Sequence, residues 1–333
     1  MESLPLEDLI HLRMPEEEAR QWLLRLTPEQ ITPNLLKQLV QTVRQNAIEI
    51  PGLDGPIMDC CGTGGSGISH FNTSTTVAFV LAAAGVRTVK FGNRAASSQS
   101  GSFDFLESLG FPAETRPEAL PNILERCNLA FLYAPQCYPC LAQFNQLRKA
   151  LGTRTIFNFI GPLLNPAKPS HRLLGVSHGG MQNLIAAYLA ESCPETKKAW
   201  VVHSPLEPMT NQPSTNATGL DEIACEGQTR ILQIETGELQ EKTINRPIIG
   251  ITPPNTVHRP HENSAIFHRL LSGEDVHSVY YHMVCLNAGA GLNVAGQAAS
   301  LEDGVAFAKE LLASRKVRDK FEQCRRAYDD LNR

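Results

Sequence analysis

The sequence predicts an α/β fold with a small N-terminal helical domain and a large α/β domain around a mainly parallel central sheet. Three observations support this prediction. The first fifty residues have helical periodicity, short apolar runs alternate with helix-period segments from residue 57 onward, and a glycine-rich turn follows the first apolar run. Alternating strands and helices favour a parallel sheet covered by helices. Because 333 residues exceed the usual length of one domain, we expect one large and one small domain.

Helical signals fill the N-terminal segment. Pro15 precedes three glutamates at 16–18, which suits the first turn of a helix, because the positive end of the helix dipole favours acidic side chains. Thr32 and Pro33 begin another helix. The apolar face of that helix is formed by Leu36, Leu39, Val40 and Val43. The proline- and glycine-rich turn at 51–56 places the end of the helical domain at about residue 52.

The remaining chain is predicted element by element. Predicted strands cover residues 57–61, 87–91, 129–134 and 199–203, and a hairpin is formed by 230–234 and 241–244. Predicted helices cover 74–85, 101–109, 139–151 and parts of 263–271, 277–286 and 301–331. The segment 205–218 is rich in Pro, Asn, Ser and Thr, which predicts a mobile loop.

Composition argues against several classes of protein. The net charge of −4 makes nucleic acid an unexpected partner, since such binding depends on Lys and Arg neutralising phosphates. No apolar run predicts a membrane span, and the acidic N-terminus does not resemble a secretory signal. Nine cysteines, an odd number, fit a reducing cytoplasm better than a disulfide framework. The pairs Cys137/Cys140 and His258/His261 are interpreted as structural or incidental.

The turn after the first predicted strand carries the first chemical signal. Four glycines leave its backbone uncovered by side chains: Gly62, Gly64, Gly65 and Gly67. Three small polar residues stand near the start of the next helix: Asn72, Ser74 and Thr75. Lys90 ends the following strand, at the edge of the sheet where ligands bind in open α/β folds. Backbone N–H groups, hydroxyls and a lysine together predict a phosphate or pyrophosphate site.

Two known phosphate loops fit this turn poorly. A Walker A loop requires Gly-Lys-Ser/Thr after the glycines, and lysine is missing there. A dinucleotide fingerprint opens a helix directly, whereas here the helix begins several residues later and no acidic ribose-binding residue stands out. An ordinary glycine-rich turn is the remaining alternative, and the polar residues and Lys90 weigh against it.

With these residues in place, the chain resembles the anthranilate phosphoribosyltransferase family. The matching motifs are GTGGS at 62–66, NTST at 72–75, KFGNR at 90–94, SSQSGS at 97–102, RTIFNFIGPLLNP at 154–166 and GLDEI at 219–223. The resemblance runs from about residue 57 to about residue 296, and several independent motifs in one order make it specific. It implies a nucleoside phosphorylase/phosphoribosyltransferase-like fold, in which helices from about 139–168 join the domain of residues 1–52, while 53–138 and 169–333 form the α/β domain.

The resemblance also implies a reaction and a site. The family transfers the phosphoribosyl group of phosphoribosyl pyrophosphate to the amino group of anthranilate, with Mg²⁺ and without a covalent nucleophile. The implied phosphoribosyl pyrophosphate site consists of Gly62, Thr63, Gly64, Gly65, Asn72, Ser74, Thr75, Lys90, Asn93 and Ser97. The implied metal ligands are Ser74, Asp221 and Glu222. The implied acceptor site, for an aromatic amine with a carboxylate, consists of Asn93, Arg148, Gly161, Pro162, Phe91 and Tyr138.

Several of these residues have local alternatives. Asn93 suits a cap on a strand-end turn, and Ser97 suits a helix N-cap. An Asp-Glu pair such as 221–222 is often a solvated turn, and Arg148 could be a surface charge on an amphipathic helix.

The chain departs from the family motifs where the acceptor and ribose are handled. Ser66 replaces an aspartate, Phe91 and Tyr138 replace two histidines, and 205–218 resembles an insertion. These departures leave two alternatives open: a diverged relative with another aromatic acceptor, or a non-catalytic nucleic-acid-binding relative. A nucleoside phosphorylase is a third alternative, which the 154–166 segment fits less well. The opening helix pair, which contributes to dimer contacts in the family, is only partly present here, which is a further departure. The resemblance nevertheless implies a homodimer.

Overall fold

The structure, a computed structural model, describes residues 5–65, 71–95, 100–152, 154–206, 218–247 and 259–331. The N-terminal segment is helical, as predicted. Its helices are α1 (Leu6–Ile10), α2 (Glu16–Arg25) and α3 (Pro33–Gln45), with a 3-10 helix at Pro28–Gln30. Thr32 caps α3, because its Oγ1 accepts a hydrogen bond from the Leu35 N–H at 3.3 Å. The predicted apolar face of α3 is fully buried.

The central sheet is mixed and mainly parallel. Its strands are β1 (Met58–Gly62), β2 (Thr88–Gly92), β3 (Leu129–Tyr133), β4 (His171–Gly175), β5 (Lys198–Pro205), β6 (Gly219–Leu220), β7 (Gly227–Glu235) and β8 (Glu238–Arg246). The strand order is β3-β2-β1-β4-β5-β7-β8, with β6 beside β5. The first five strands in this order pair in parallel, whereas β7 and β8 add an antiparallel edge. The predicted fold class is therefore confirmed, although β4 at the centre of the sheet was not predicted.

Helices cover the sheet. They are α4 (Thr73–Ala83), α5 (Ser102–Ser108), α6 (Leu120–Cys127), α7 (Ala134–Cys137), α8 (Leu141–Leu151), α9 (Gly179–Ser192), α10 (Pro260–Ser272), α11 (Val279–Val294), α12 (Leu301–Ala313) and α13 (Lys316–Leu331). The helix α4 packs against α11 and β1, and nine of its eleven residues are buried, so its position is set by packing on every side. Among the described helices, none has the length and apolar composition that crossing a bilayer requires.

The N-terminal helices contact the middle of the chain. The helices α1 and α2 lie against α8. The Ile48 N–H donates to the Cys137 carbonyl at 2.9 Å, and the Ile156 N–H donates to the Leu26 carbonyl at 2.7 Å. The α8 contacts and the Ile156–Leu26 hydrogen bond join residues 1–52 to part of 139–168, whereas the Ile48–Cys137 hydrogen bond joins them to the segment 53–138. The domain division stays a prediction.

Candidate active site

The candidate site lies at the carboxyl ends of β1 and β4. These strands are neighbours in the sheet, and Gly62 at the end of β1 pairs with Gly175 at the end of β4. From β1 the sheet continues to β2 and β3 on one side, and from β4 to β5 on the other. The direction of winding therefore reverses between them, which is where open α/β sheets form a ligand crevice.

The acidic motif is packed directly against the glycine turn. The Gly64 N–H donates to Oδ2 of Asp221 at 2.7 Å. A Cβ added at Gly62 would lie 2.1 Å from the same oxygen, and one added at Gly175 would lie 1.6 Å from the Asp221 carbonyl oxygen. Glycine at both strand ends therefore allows the Asp221 backbone to lie across them.

The glycine turn is fixed by a second set of hydrogen bonds. The Thr63 N–H donates to the Gly175 carbonyl at 3.0 Å. The Ser177 N–H donates to Oγ1 of Thr63 at 3.0 Å, and the Ser177 hydroxyl donates to the Gly64 carbonyl at 2.7 Å. The N–H groups of Thr63 and Gly64 are thus engaged within the protein. Of the three described amides at 63–65, the Gly65 N–H makes no hydrogen bond to another described residue, so it is open to an anion.

Lys90 and the start of α4 form the opposite wall. The Nζ atom of Lys90 donates to the Cys60 carbonyl at 2.7 Å and to Oγ of Ser74 at 3.2 Å. The side-chain amide of Asn72, at the N-cap position of α4, donates to Oγ of Ser100 at 3.1 Å. Oγ1 of Thr75 is buried and makes no hydrogen bond to another described residue. Polar groups from β1, β2 and α4 therefore converge beside the turn.

The buried carboxyl group of Asp59 interacts electrostatically with Lys90. Asp59 on β1 is only 1% exposed, and its Oδ2 accepts from the side-chain amide of Asn165 at 2.8 Å. Burial raises the pKa of the Asp59 carboxyl, while the charge of Lys90 opposes that rise. Arg172 on β4, also buried, lowers the pKa of Asp59 as well and donates to the Pro162 carbonyl at 3.3 Å. Asp59 and Arg172 were not predicted as site residues, although charged residues inside apolar strand runs are a recognisable signal.

Arg148 is a partly buried cation. Its Nη1 donates to Oδ1 of Asn145 at 3.1 Å, and its guanidinium lies 5.5 Å from the centre of the Phe157 ring. Its Nε is buried without a hydrogen-bond partner among the described residues, and no described carboxylate forms an ion pair with it. Burial lowers the pKa of Arg148 to about 10. A desolvated guanidinium of this kind favours a carboxylate ligand.

The other predicted acceptor residues form a separate group. Phe91 and Tyr138 meet edge to face, with ring centres 6.1 Å apart, and both are buried. The Tyr138 hydroxyl donates to the Leu164 carbonyl. Within the described residues, no hydrogen bond or ring contact links Arg148 to either aromatic side chain. Their roles at an acceptor slot stay predictions.

Asn93, Gly161 and Pro162 make local contacts. Oδ1 of Asn93 accepts from the Arg94 N–H at 2.8 Å, which agrees with the alternative role as a turn cap. Gly161 and Pro162 begin a 3-10 helix, Gly161–Leu163. Ser66, Gly67, Ser97, His258 and most of the predicted 205–218 loop lie outside the described residues.

The sequence matches a known family over most of its length. The glycosyl transferase family, a/b domain, matches residues 54–317. Anthranilate phosphoribosyltransferase of Nitratidesulfovibrio vulgaris is 36% identical over 306 residues, which cover 89% of this chain and 86% of that enzyme. The chain belongs to the anthranilate phosphoribosyltransferase family.

Other members of this family agree in sequence and fold. The enzyme of Listeria monocytogenes is 35% identical over 312 residues, covering 92% of this chain and 87% of that enzyme. The crystal structure of anthranilate phosphoribosyltransferase from Thermus thermophilus superposes with a TM-score of 0.82 at 30% identity, covering 97% of this chain and 93% of that one. The Saccharomyces cerevisiae enzyme in complex with PRPP and Mg has a TM-score of 0.80 at 22% identity, covering 98% and 91%. This last likeness shows the shared fold.

The predicted metal ligands of this family member share one cavity. Ser74, Asp221 and Glu222 all line it, together with Cys60 and Cys61. Hydroxyl and carboxylate oxygens suit Mg²⁺, which is usually bound by one or two carboxylates plus substrate phosphates. In the described part of the chain, no group of three or more His, Cys, Asp or Glu side chains forms a metal site. The donor set therefore fits a cation that is completed by a phosphorylated substrate and by water.

Proposed function

We propose that this chain transfers the phosphoribosyl group of phosphoribosyl pyrophosphate to the amino group of anthranilate. The observation that supports this most directly is the hydrogen bond from Gly64 to Asp221, which docks the acidic motif on the glycine turn. This contact supports the proposal, because it holds the proposed metal ligand Asp221 beside the proposed phosphate-binding turn at the switch point of the sheet. The names of the relatives and the family membership support the same reaction.

The proposed division of the site follows from its charges. The glycine turn, Asn72, Ser74, Thr75 and Lys90 bind the ribose phosphate and the pyrophosphate. Asp221, Glu222 and Ser74 hold Mg²⁺, which neutralises charge on the pyrophosphate when it is bound. Arg148 binds the acceptor carboxylate, because its guanidinium is desolvated and has no described carboxylate partner. Asn93, Phe91, Tyr138, Gly161 and Pro162 are proposed to line the acceptor slot, and Ser97 the phosphoribosyl pyrophosphate site.

The chemical step requires positioning more than covalent catalysis. The C1–O bond of the ribose breaks with its electron pair on the pyrophosphate, while a C–N bond forms to the acceptor amine, which then loses one proton to solvent. Negative charge grows on the leaving pyrophosphate, so preorganised donors at the turn and Lys90 stabilise the transition state more than the ground state. Because Lys90 is buried and held by two acceptors, little reorganisation accompanies this charge development.

The test is an assay of anthranilate fluorescence with purified protein, phosphoribosyl pyrophosphate and Mg²⁺. We expect the fluorescence to fall, chelation of Mg²⁺ to stop the loss, and Asp221→Asn to raise the Mg²⁺ concentration for half-maximal rate. Asp330→Asn, an exposed carboxylate on α13, is the matched control and should leave that concentration unchanged. Pyrophosphate release only with other aromatic amines would indicate a diverged acceptor. Salt-sensitive DNA binding without turnover would indicate a nucleic-acid-binding relative.

We further propose that the protein acts in the cytoplasm as a homodimer. All nine cysteines are free thiols, which fits a reducing compartment. The dimer is proposed because the N-terminal helices contribute to dimer contacts in the family. Light scattering, which gives the mass of the protein in solution, tests this proposal. A monomer at micromolar concentration would refute the dimer.

A further inference from the structure

Arg154 lies across the glycine turn. It is the first residue of the motif at 154–166, yet it has no role among the predicted site residues or in the proposed mechanism. A Cβ added at Gly65 would lie 2.5 Å from Nη2 and 3.0 Å from Cζ of Arg154. The guanidinium therefore rests directly against the backbone of the turn. Arg154 is exposed, and among the described residues its guanidinium has no ion pair or hydrogen bond.

A backbone amide without a described hydrogen-bond partner lies beside this guanidinium. The Gly65 N–H beside it is the amide of the turn that makes no hydrogen bond to another described residue, whereas Thr63 and Gly64 are engaged. Gly65 has a φ of 74°, a left-handed conformation that lets the bare backbone approach a ligand closely. The charge of Arg154 is also felt nearby, because it contributes to lowering the pKa of His178.

The backbone beside Arg154 is held by hydrogen bonds on its C-terminal side, and a glycine lies two positions before it. On the C-terminal side, the Thr155 N–H donates to Oδ1 of Asn158 at 3.0 Å, and the Ile156 N–H donates to the Leu26 carbonyl. On the N-terminal side, Gly152 ends α8 with a φ of 65° and open space around it. Arg148 stands on the same segment, six positions earlier, so one stretch of chain carries both guanidinium groups.

We propose that Arg154 binds the diphosphate of phosphoribosyl pyrophosphate together with the Gly65 N–H. This inference rests on the proposed function and adds a residue to it. A guanidinium presents several donors in a fixed plane, which suits two phosphate oxygens at once. Because charge accumulates on the pyrophosphate as the C1–O bond breaks, the contact strengthens in the transition state. Arg148 and Arg154 then bind the acceptor and the diphosphate from one segment, which couples the placement of the two substrates.

The experiment compares wild type with Arg154→Ala, Arg154→Lys and the control Arg126→Ala. Arg126 is an exposed arginine that forms an ion pair with Asp330 and has no proposed role in the site. Steady-state kinetics give the KM for each substrate, and calorimetry gives the affinity for inorganic pyrophosphate with Mg²⁺. We expect Arg154→Ala to raise the KM for phosphoribosyl pyrophosphate and to weaken pyrophosphate binding by about tenfold or more. Arg154→Lys should recover part of the loss. The KM for anthranilate should change by less than about twofold, as should all values for Arg126→Ala.

The outcomes separate this inference from the proposed function. If the wild-type enzyme turns over but Arg154→Ala binds pyrophosphate as well as wild type, the role of Arg154 is refuted and the function stands. If wild type neither turns over nor binds pyrophosphate, both are refuted. The melting temperature of each variant is measured by thermal unfolding. A loss of pyrophosphate affinity at an unchanged melting temperature supports direct contact between Arg154 and the diphosphate.

Discussion

The Nζ atom of Lys90 lies 3.2 Å from the Oγ atom of Ser74. This contact joins the carboxyl end of β2 to the first turn of α4, and Lys90 is only 3% exposed. Burial raises the pKa of the Asp59 carboxyl on the neighbouring strand, and the charge of Lys90 opposes that rise, so the two groups interact electrostatically. Lys90 therefore interacts with Asp59 inside the protein and is proposed to bind phosphoribosyl pyrophosphate in the site. The contribution to stability and the contribution to substrate binding can be separated by substitution.

Lys90→Ala should weaken phosphoribosyl pyrophosphate binding and destabilise the fold. We expect the KM for this substrate to rise by about tenfold or more, because a charged hydrogen bond is lost. We expect the free energy of unfolding to fall by about 1–3 kcal/mol, because the buried Asp59 carboxyl loses one of the two cations that offset its charge and keeps Arg172. The double variant Lys90→Met/Asp59→Asn separates the two effects. It should recover stability in urea melts but not substrate affinity, and recovery of both would contradict a role of Lys90 in binding.

Arg148→Met should lower acceptor affinity without a cost in stability. The Nε of Arg148 is buried without a described partner, so an apolar side chain of similar length removes a desolvation cost. We expect the free energy of unfolding to rise by about 1 kcal/mol, while the KM for anthranilate rises by about tenfold. The KM for phosphoribosyl pyrophosphate should stay within about twofold. Equal effects on the two substrates, or a large loss of stability, would show that Arg148 is structural.

The sequence predicts the ends of the strands better than their order. The runs that became β1, β2 and β3 are mostly apolar, with a single charged residue inside β1 and inside β2, and they end at glycine or tyrosine, so their existence could be inferred locally. The strand β4 was missed because it begins with His171 and Arg172, whose polarity conceals a short buried strand. Its position beside β1 depends on a crossover, which no local pattern encodes.

The site shows the same division. The glycine turn, Ser74 and Lys90 lie within one βαβ unit, and the parallel pairing of β1 with β2 brings their ends together. The contact of Asp221 with Gly64 spans 157 positions, and the family motif was the one signal for it. Arg154 stands in a quoted motif, yet no periodicity indicates that it would fold back over Gly65. The positions of Asp221 and Arg154 beside the glycine turn depend on packing between distant parts of the chain, which local sequence patterns do not encode.

Gly175→Ala should displace the proposed metal ligand Asp221, although Gly175 itself has no proposed role in ligand binding. Its Cβ would lie 1.6 Å from the Asp221 carbonyl oxygen, so the loop must move. We expect a loss of about 2 kcal/mol in the free energy of unfolding and a higher Mg²⁺ requirement. Gly273→Asn is the control, since Gly273 has open space and a φ of 82°, which asparagine tolerates. If both variants behave alike in Mg²⁺ titrations of activity, Gly175 does not set the position of Asp221.

His171 at the start of β4 should make stability depend on pH, away from the site. Burial lowers its pKa below the ordinary value of 6.5, and the charges of Lys198 and Lys197 lower it further. The folded state therefore favours neutral imidazole. The stability that this contributes is fully present above the unfolded pKa and is lost as the pH falls through the lower folded pKa.

The check is a comparison of wild type with His171→Asn in urea melts at about pH 7.5 and about pH 5. Asparagine keeps a polar group near Oγ of Ser170, which lies 2.9 Å from Nδ1 of His171. The stability advantage of wild type over the variant should shrink at the lower pH. Lys198→Met should move the titration of His171, followed by NMR of its ring protons, back toward 6.5. An advantage that grows on acidification would mean that the folded protein prefers the charged imidazole, contrary to the burial of this residue.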